Sequence, residues 1–245
     1  MLAKVRQSQF WKKGEHLVRL TAKFVLGIMF FSFVLVLFFK FVPPWFTPLM
    51  AYRSIDALFS GKDSHIYYTW TPLENISPEA AIAVVASEDQ NFPRHGGFDL
   101  SEIRKAVKQN KVRKRPRGAS TISQQVAKNM FLWNGRSYFR KGLEAYFTLL
   151  IEWIWGKERI IEVYLNVAEM GDRTFGVEAA SQRFFGISAN KISRCQAATL
   201  AAVLPNPRHF SAKRPSAYTK SRISFIVRQI RQLGGPAYLG DVRNF

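Results

Sequence analysis

The apolar pattern is densest near the start of the chain, where Phe24 to Phe39 (FVLGIMFFSFVLVLFF) runs sixteen residues without a charge. With Lys23 and Lys40 able to reach outward at its ends, the span to Val42 covers about 28 Å as a helix, which is a bilayer crossing. Pro43 to Asp63 still holds Trp45, Phe46, Leu49, Met50, Tyr52, Leu58 and Phe59, the make-up of a segment lying in the membrane interface or packed on the domain that follows. Ile66 to Thr71 (IYYTWT) is rich in aromatic and β-branched residues and is closed by Pro72, so it reads as a strand. Everything afterwards reads helical. Ser77-Pro78 supplies an N-cap and a first-turn proline for a helix that carries Glu88 at its far end. Asp99 with Glu102 has capping-box spacing for a helix over about 100–110, and Ser193 with Gln196 has it for an Ala-rich helix stopped by Pro205 and Pro207. Further amphipathic stretches run from Ser120 to Met130, Arg140 to Trp155, Lys157 to Ala168, Val177 to Phe185 and Pro215 to Leu233, with Gly171 and Gly176 bracketing a loop. The fold class is mostly α.

Charge narrows the setting. Lys and Arg number 36 against 17 Asp and Glu in 245 residues, giving a net charge of +19 and pointing to an anionic partner. Lys4, Arg6, Lys12, Lys13, Arg19 and Lys23 precede the apolar run against Glu15 alone, whereas Pro43 to Ser60 offers only Arg53. The positive-inside bias therefore predicts a cytoplasmic basic tail over 1–23, a membrane helix over 24–42, a connector with a short strand over 43–71, and an extracytoplasmic domain over 72–245. A cleaved signal peptide is the competing reading; the length of the run, and Pro43-Pro44-Trp45-Phe46 where small residues should precede a cut, favour the anchor. An extracytoplasmic domain makes nucleic acid an unsuitable partner and favours membrane lipids and lipid phosphates. Cys195 stands alone, so no intrachain disulfide framework exists, and the four histidines lack metal-ligand spacing.

Three stretches carry chemistry. Glu88 and Asp89 stand where the buried-type run Ala80 to Ala86 gives way to a turn-rich segment with Pro93, His95, Gly96, Gly97 and Asp99. Burial at such a helix end can bring a carboxylate toward neutral pH, as acid/base chemistry requires, although a solvated acidic pair would read the same way. On a helix begun at Ser120, the residues Ser120, Gln124 and Lys128 form a polar stripe beside Ile122, Val126 and Met130; it suits phosphate oxygens or simply solvent. Arg140, Glu144, Thr148 and Glu152 fall on one face of the next helix, with Leu143, Tyr146, Phe147, Leu150, Ile151 and Ile154 forming its apolar face; a surface helix laced with salt bridges fits equally. Between the first two stretches, seven cations from Lys105 to Arg117 make either a solvated face or a platform for anionic headgroups.

In this order the stretches resemble the bacterial peptidoglycan glycosyltransferases, glycosyltransferase family 51, over roughly Pro72 to Pro207. The resemblance rests on Glu88, Asp89, Phe92, His95, Gly97 and Asp99; on Gly118, Ser120, Thr121, Ile122, Gln124, Gln125, Lys128 and Asn129; on Arg140, Lys141 and Glu144; on Ile161, Tyr164, Leu165, Asn166 and Gly171; and on Gly176, Ala179, Ala180, Phe184 and Phe185. Ala119 and Ser123 depart from the usual Gly and Thr. The family implies a lysozyme-like helical domain on the outer face of the cytoplasmic membrane. It would polymerise lipid II into β-1,4 glycan with inversion and release undecaprenyl pyrophosphate. In family terms Glu88 is the general base and Glu144 the second carboxylate, assisted by neighbouring polar groups or by a divalent cation, Mg2+ or Mn2+. Lys128 and Arg140 stabilise the pyrophosphate; Asp89, Phe92, His95, Ser120, Gln124 and Asn129 complete the substrate site. Growing lipid-linked glycan and other cell wall synthesis and division proteins are the implied partners. Ser188 to Lys191 matches the S-x-x-K of a transpeptidase domain, but no K-T-G follows, so the resemblance is to the monofunctional members.

Overall fold

A computed structural model describes the backbone of residues 2–113, 118–135 and 137–242, and the side chains of 15–113, 118–135 and 137–240. The chain divides into two units, Met1–Val42 and Pro43–Phe245. The first is helix α1 (Leu2–Phe41), whose Glu15–Phe41 portion is long and apolar enough to cross a membrane. It is the one helix among the described residues that meets this condition.

The second unit is mostly helical and is built around α3 (Pro78–Glu88). Ser77 caps it, its hydroxyl accepting the Glu79 N–H, and all seven residues from Ala80 to Ala86 are buried. A helix with no wet face must be enclosed by others. Four of those seven residues are alanines, which lets α9 (Arg194–Val203) approach closely through its own Ala197, Ala198, Ala201 and Ala202. Helix α10 (Ala217–Gln232) covers another side with Ile226 and Ile230. Also in this unit are α2 (Pro48–Phe59), capped by Thr47, and α4 (Leu100–Asn110), capped by Asp99. They are joined by α5 (Ile122–Phe131), α6 (Tyr138–Ile154), α7 (Gly156–Val167) and α8 (Val177–Phe185). Helix α5 packs on α2, α6 and α7.

Two features differ from the sequence pattern. The strand expected over Ile66 to Thr71 shrinks to β1 (Tyr67–Tyr68), and the segment read as a loop forms a hairpin of β2 (Glu169–Gly171) and β3 (Thr174–Phe175). Strand β3 lies centrally, parallel to β1 and antiparallel to β2. The two-residue hairpin turn places Arg173 at φ 53°, held by Asp172 at 3.0 Å and by the Asp63 carbonyl. Helix α6 buries residues of both its faces: Ile151 of the apolar face and Glu144 and Thr148 of the polar one are buried, Leu143, Tyr146, Phe147, Leu150 and Ile154 are half-buried, and Leu149 and Trp153 are exposed.

Candidate active site

The site gathers where the end of α3, the start of α5 and the inward face of α6 meet. Glu88 is the last residue of α3, and its carboxylate is touched from three elements. Gln125 Nε2 of α5 donates to Oε2 at 3.1 Å, while Ser87 Oγ and Arg222 Nη2 of α10 approach Oε1 at 3.4 Å. The buried Tyr164 hydroxyl of α7 donates to Gln125 Oε1 at 3.3 Å, so the amide presents its NH2 to Glu88. Burial raises the Glu88 carboxyl above its ordinary 4.5, more than Gln125, Arg222 and Ser87 lower it; neighbouring Asp89 adds to the rise. Tyr164 is pushed up too, by burial first and then by Glu88 and Asp89.

Asp89 holds the loop and the next helix together. Its buried carboxylate receives the backbone N–H of Ile122, the first residue of α5, at 3.0 Å, where the helix end favours negative charge. It also receives His95 Nε2 at 2.9 Å. Because the Gly97 backbone N–H donates to His95 Nδ1 at 3.1 Å, the ring proton belongs on Nε2, facing Asp89. The loop is pinned again by the Thr121 hydroxyl, which donates to the Gly97 carbonyl at 2.7 Å. Gly97 lies at φ 91°, and a Cβ there would stand 2.7 Å from Thr148 Cγ2, so only glycine lets the loop lie against α6. Beneath it, Lys157 Nζ bonds Glu152 Oε1 at 2.7 Å and sits 4.5 Å above the ring of fully buried Phe92, and Ser123 donates to the same Glu152 oxygen.

Across α5 lies the second carboxylate. Glu144, buried, receives Arg140 Nη1 at 3.0 Å on one oxygen and Lys141 Nζ on the other. Lys128 faces this group, and its ammonium proton is held less tightly than usual; burial is the main cause, Glu144 opposes it, and Arg140, Lys141 and Arg53 reinforce it. Lys128, Gln125 and Asn129 line a cleft of about 200 Å³ shared with Trp133, Arg53 and Glu169. Asn129 Oδ1 is buried there without a hydrogen-bond partner among the described residues, as is Arg140 Nε on α6.

Glu88 is thus a half-buried carboxylate met by Gln125 of α5 and Arg222 of α10, and Glu144 a buried one attended by Arg140, Lys141 and Lys128. Phe92, Asp89 and His95 support the loop from within. Ser120 lies exposed ahead of the helix. Thr121, not Ser120, caps α5, and Gln124 Oε1 accepts the Thr121 N–H at 3.0 Å, so Gln124 closes a capping box and is buried. Of the cationic run, Lys114, Arg115 and Arg117 lie outside the described residues. Sequence reasoning gave no role to Gln125, Tyr164, Arg222, Arg53 or Glu169. Gln125 was signalled by its neighbour in the same motif; Arg222 stands 134 positions from Glu88, beyond the reach of any local pattern.

Comparison with known proteins bears on this arrangement. The profile of the transglycosylase family matches residues 56–231. A biosynthetic peptidoglycan transglycosylase of Pseudomonas putida is 53% identical over 223 residues, 91% of this chain and 94% of that protein. One of Chromohalobacter salexigens is 52% identical over 215 residues, 88% and 92% of the two chains. On the family profile and on identity across most of its length, the chain belongs to the monofunctional peptidoglycan transglycosylases, enzymes of cell wall synthesis.

Proposed function

We propose that this transglycosylase polymerises lipid II into β-1,4 glycan by an inverting displacement at the outer face of the cytoplasmic membrane, releasing undecaprenyl pyrophosphate. The single observation that carries the reading is the pair of carboxylates, Glu88 half-buried and Glu144 buried, with opposite surroundings. Glu88 is touched by one amide and two distant donors and has a raised proton affinity; Glu144 is clasped by two cations. The first environment suits a base that takes a proton near neutral pH, the second a group fixed beside departing phosphate.

On this reading the 4-hydroxyl oxygen of the acceptor lipid II attacks the anomeric carbon of the growing chain, and its proton passes to Glu88. Oε2 is fixed by Gln125, which leaves Oε1, with its long contacts, to receive the proton. The bond from the anomeric carbon to the phosphate oxygen breaks on the opposite side, and the electron pair leaves with undecaprenyl pyrophosphate. Lys128 and Arg140 meet the new charge from positions set before reaction, which is where electrostatic catalysis is most effective. A divalent ion does not fit this site well: both Glu144 oxygens already bind cations, and no group of three or more His, Cys, Asp or Glu suited to a metal occurs among the described residues. No step is therefore routed through one.

Membrane seating is supported by α1 and by Tyr138, Phe139, Leu149 and Trp153, all exposed on α6. The basic stretch from Lys105 onward would add attraction to anionic headgroups, and growing glycan and other wall synthesis or division proteins would be its partners. A transpeptidase activity has no support in the matched family. The test gives the full chain lipid II in detergent and follows products. A glycan ladder that a muramidase digests, formed together with undecaprenyl pyrophosphate, is expected. Intact lipid II with shortened preformed glycan would indicate a lytic enzyme instead.

A further inference from the structure

Arg53 and Glu169 face the same cleft as Lys128, yet the mechanism above uses neither. Arg53 belongs to α2 and precedes residue 56, where the family match begins. Its Nε and Nη2 both bond Glu169 Oε2, at 2.8 and 2.7 Å, and the buried Glu169 also accepts the Arg173 backbone N–H at 3.3 Å. This clamp fixes the plane of a guanidinium whose side chain remains 16% exposed. A guanidinium carries more N–H donors than Glu169 occupies, and they lie in a rigid fork suited to phosphate. Two further facts describe what the cleft can receive. Its lining is polar as well as cationic, with Gln125, Asn129 and Asn134 beside Lys128. Arg53 is also close enough to weaken the hold of Lys128 on its proton, so an anion between them is drawn by both.

We propose that Arg53 is a further pyrophosphate-binding residue of the donor site, aimed by Glu169, which makes α2 part of the catalytic cleft. The proposal rests on the functional reading above. It gives the segment after the membrane helix a chemical role, because a cation that meets the lipid pyrophosphate is then carried on the first helix of the extracytoplasmic unit.

The experiment uses the full chain in detergent and compares native protein with Arg53→Gln, Arg53→Lys and the double variant Arg53→Gln, Glu169→Gln. Binding of undecaprenyl pyrophosphate and of undecaprenyl monophosphate is measured by calorimetry, alongside KM and kcat for lipid II. Loss of one charge-assisted contact should weaken pyrophosphate binding about tenfold, in the single and the double Gln variants alike, with a smaller effect on monophosphate. Arg53→Lys should recover part of the loss. The double variant leaves no unpaired buried carboxylate, so it reports on Arg53 even where Arg53→Gln alone folds poorly. Native affinity in the double variant would overturn the proposal, since Arg53 would then serve only to neutralise Glu169. A native chain that binds the pyrophosphate but never elongates lipid II would overturn the functional reading and leave the Arg53 comparison standing.

Discussion

Glu88 ends a helix that is buried all round, and that position sets its behaviour. Burial raises its carboxyl above 4.5 in the folded chain. Below that ordinary value both folded and unfolded chains hold the proton, and the group has no effect on stability; above it the unfolded chain ionises first, so stability falls as pH rises until Glu88 itself ionises. Glu88→Gln should therefore match the native Tm near pH 4 and exceed it at about pH 7 to 8, while polymerisation falls on the order of 10²- to 10⁴-fold. Melts across pH check this, and a variant less stable at every pH would contradict it. Asp99 has the reverse sign. Burial alone would raise its carboxyl, but hydrogen bonds from Ser101, Asn91 and the Glu102 backbone outweigh that and lower it to about 2 from 3.8. Its contribution is present above 3.8 and lost as pH falls through about 2. As the cap of α4, Asp99→Ala should cost about 1 kcal/mol near neutral pH and Asp99→Asn much less, measured by urea unfolding.

Among the elements, caps were the most legible feature of the sequence, because side chain and backbone three residues apart decide them locally. The spacing at Asp99 and at Ser193 predicted α4 and α9 correctly. At α5 the same spacing began one residue later than expected, at Thr121. That start leaves Ser120 outside the helix, lets Gln124 fold back to close the capping box and leaves Gln125 to reach Glu88. Helix α6 was half legible: periodicity shows its apolar face, not that Glu144 and Thr148 on the polar face are buried as well. Glu144 finds its partners in Arg140 and Lys141 of the same helix and in the charge of Lys128 on α5, so these polar residues too lie inside. The strands β2 and β3 are too short to show alternation. Beneath the site, the ion pair of Lys157 and Glu152 is largely enclosed, with side chains 9% and 11% exposed. Lys157→Met should destabilise by about 3–5 kcal/mol through the unpaired carboxylate, and adding Glu152→Gln should recover most of it. Chemical denaturation of the two variants checks this, and equal losses would contradict it.

At the scale of the molecule, the apolar run made a helix long enough to cross a membrane readable, and the five motifs the family, since both rest on composition and short spacing. The long-range pairs that complete the site, Arg222 with Glu88 and Arg53 with Glu169, come only from the fold. Residues 43–245 form their own compact unit, so deleting residues 1–42 should leave its melting and its turnover in detergent largely unchanged while lowering turnover on liposomes. Equal rates on liposomes would show that α1 does not concentrate enzyme on its substrate. The deciding measurement is lipid II elongation, resolved by gel, for native chain, Glu88→Gln and Glu144→Gln, with folding followed by circular dichroism. The predicted result is a native ladder that both folded variants lose; a folded Glu88→Gln chain that still builds the ladder at the native rate would contradict it.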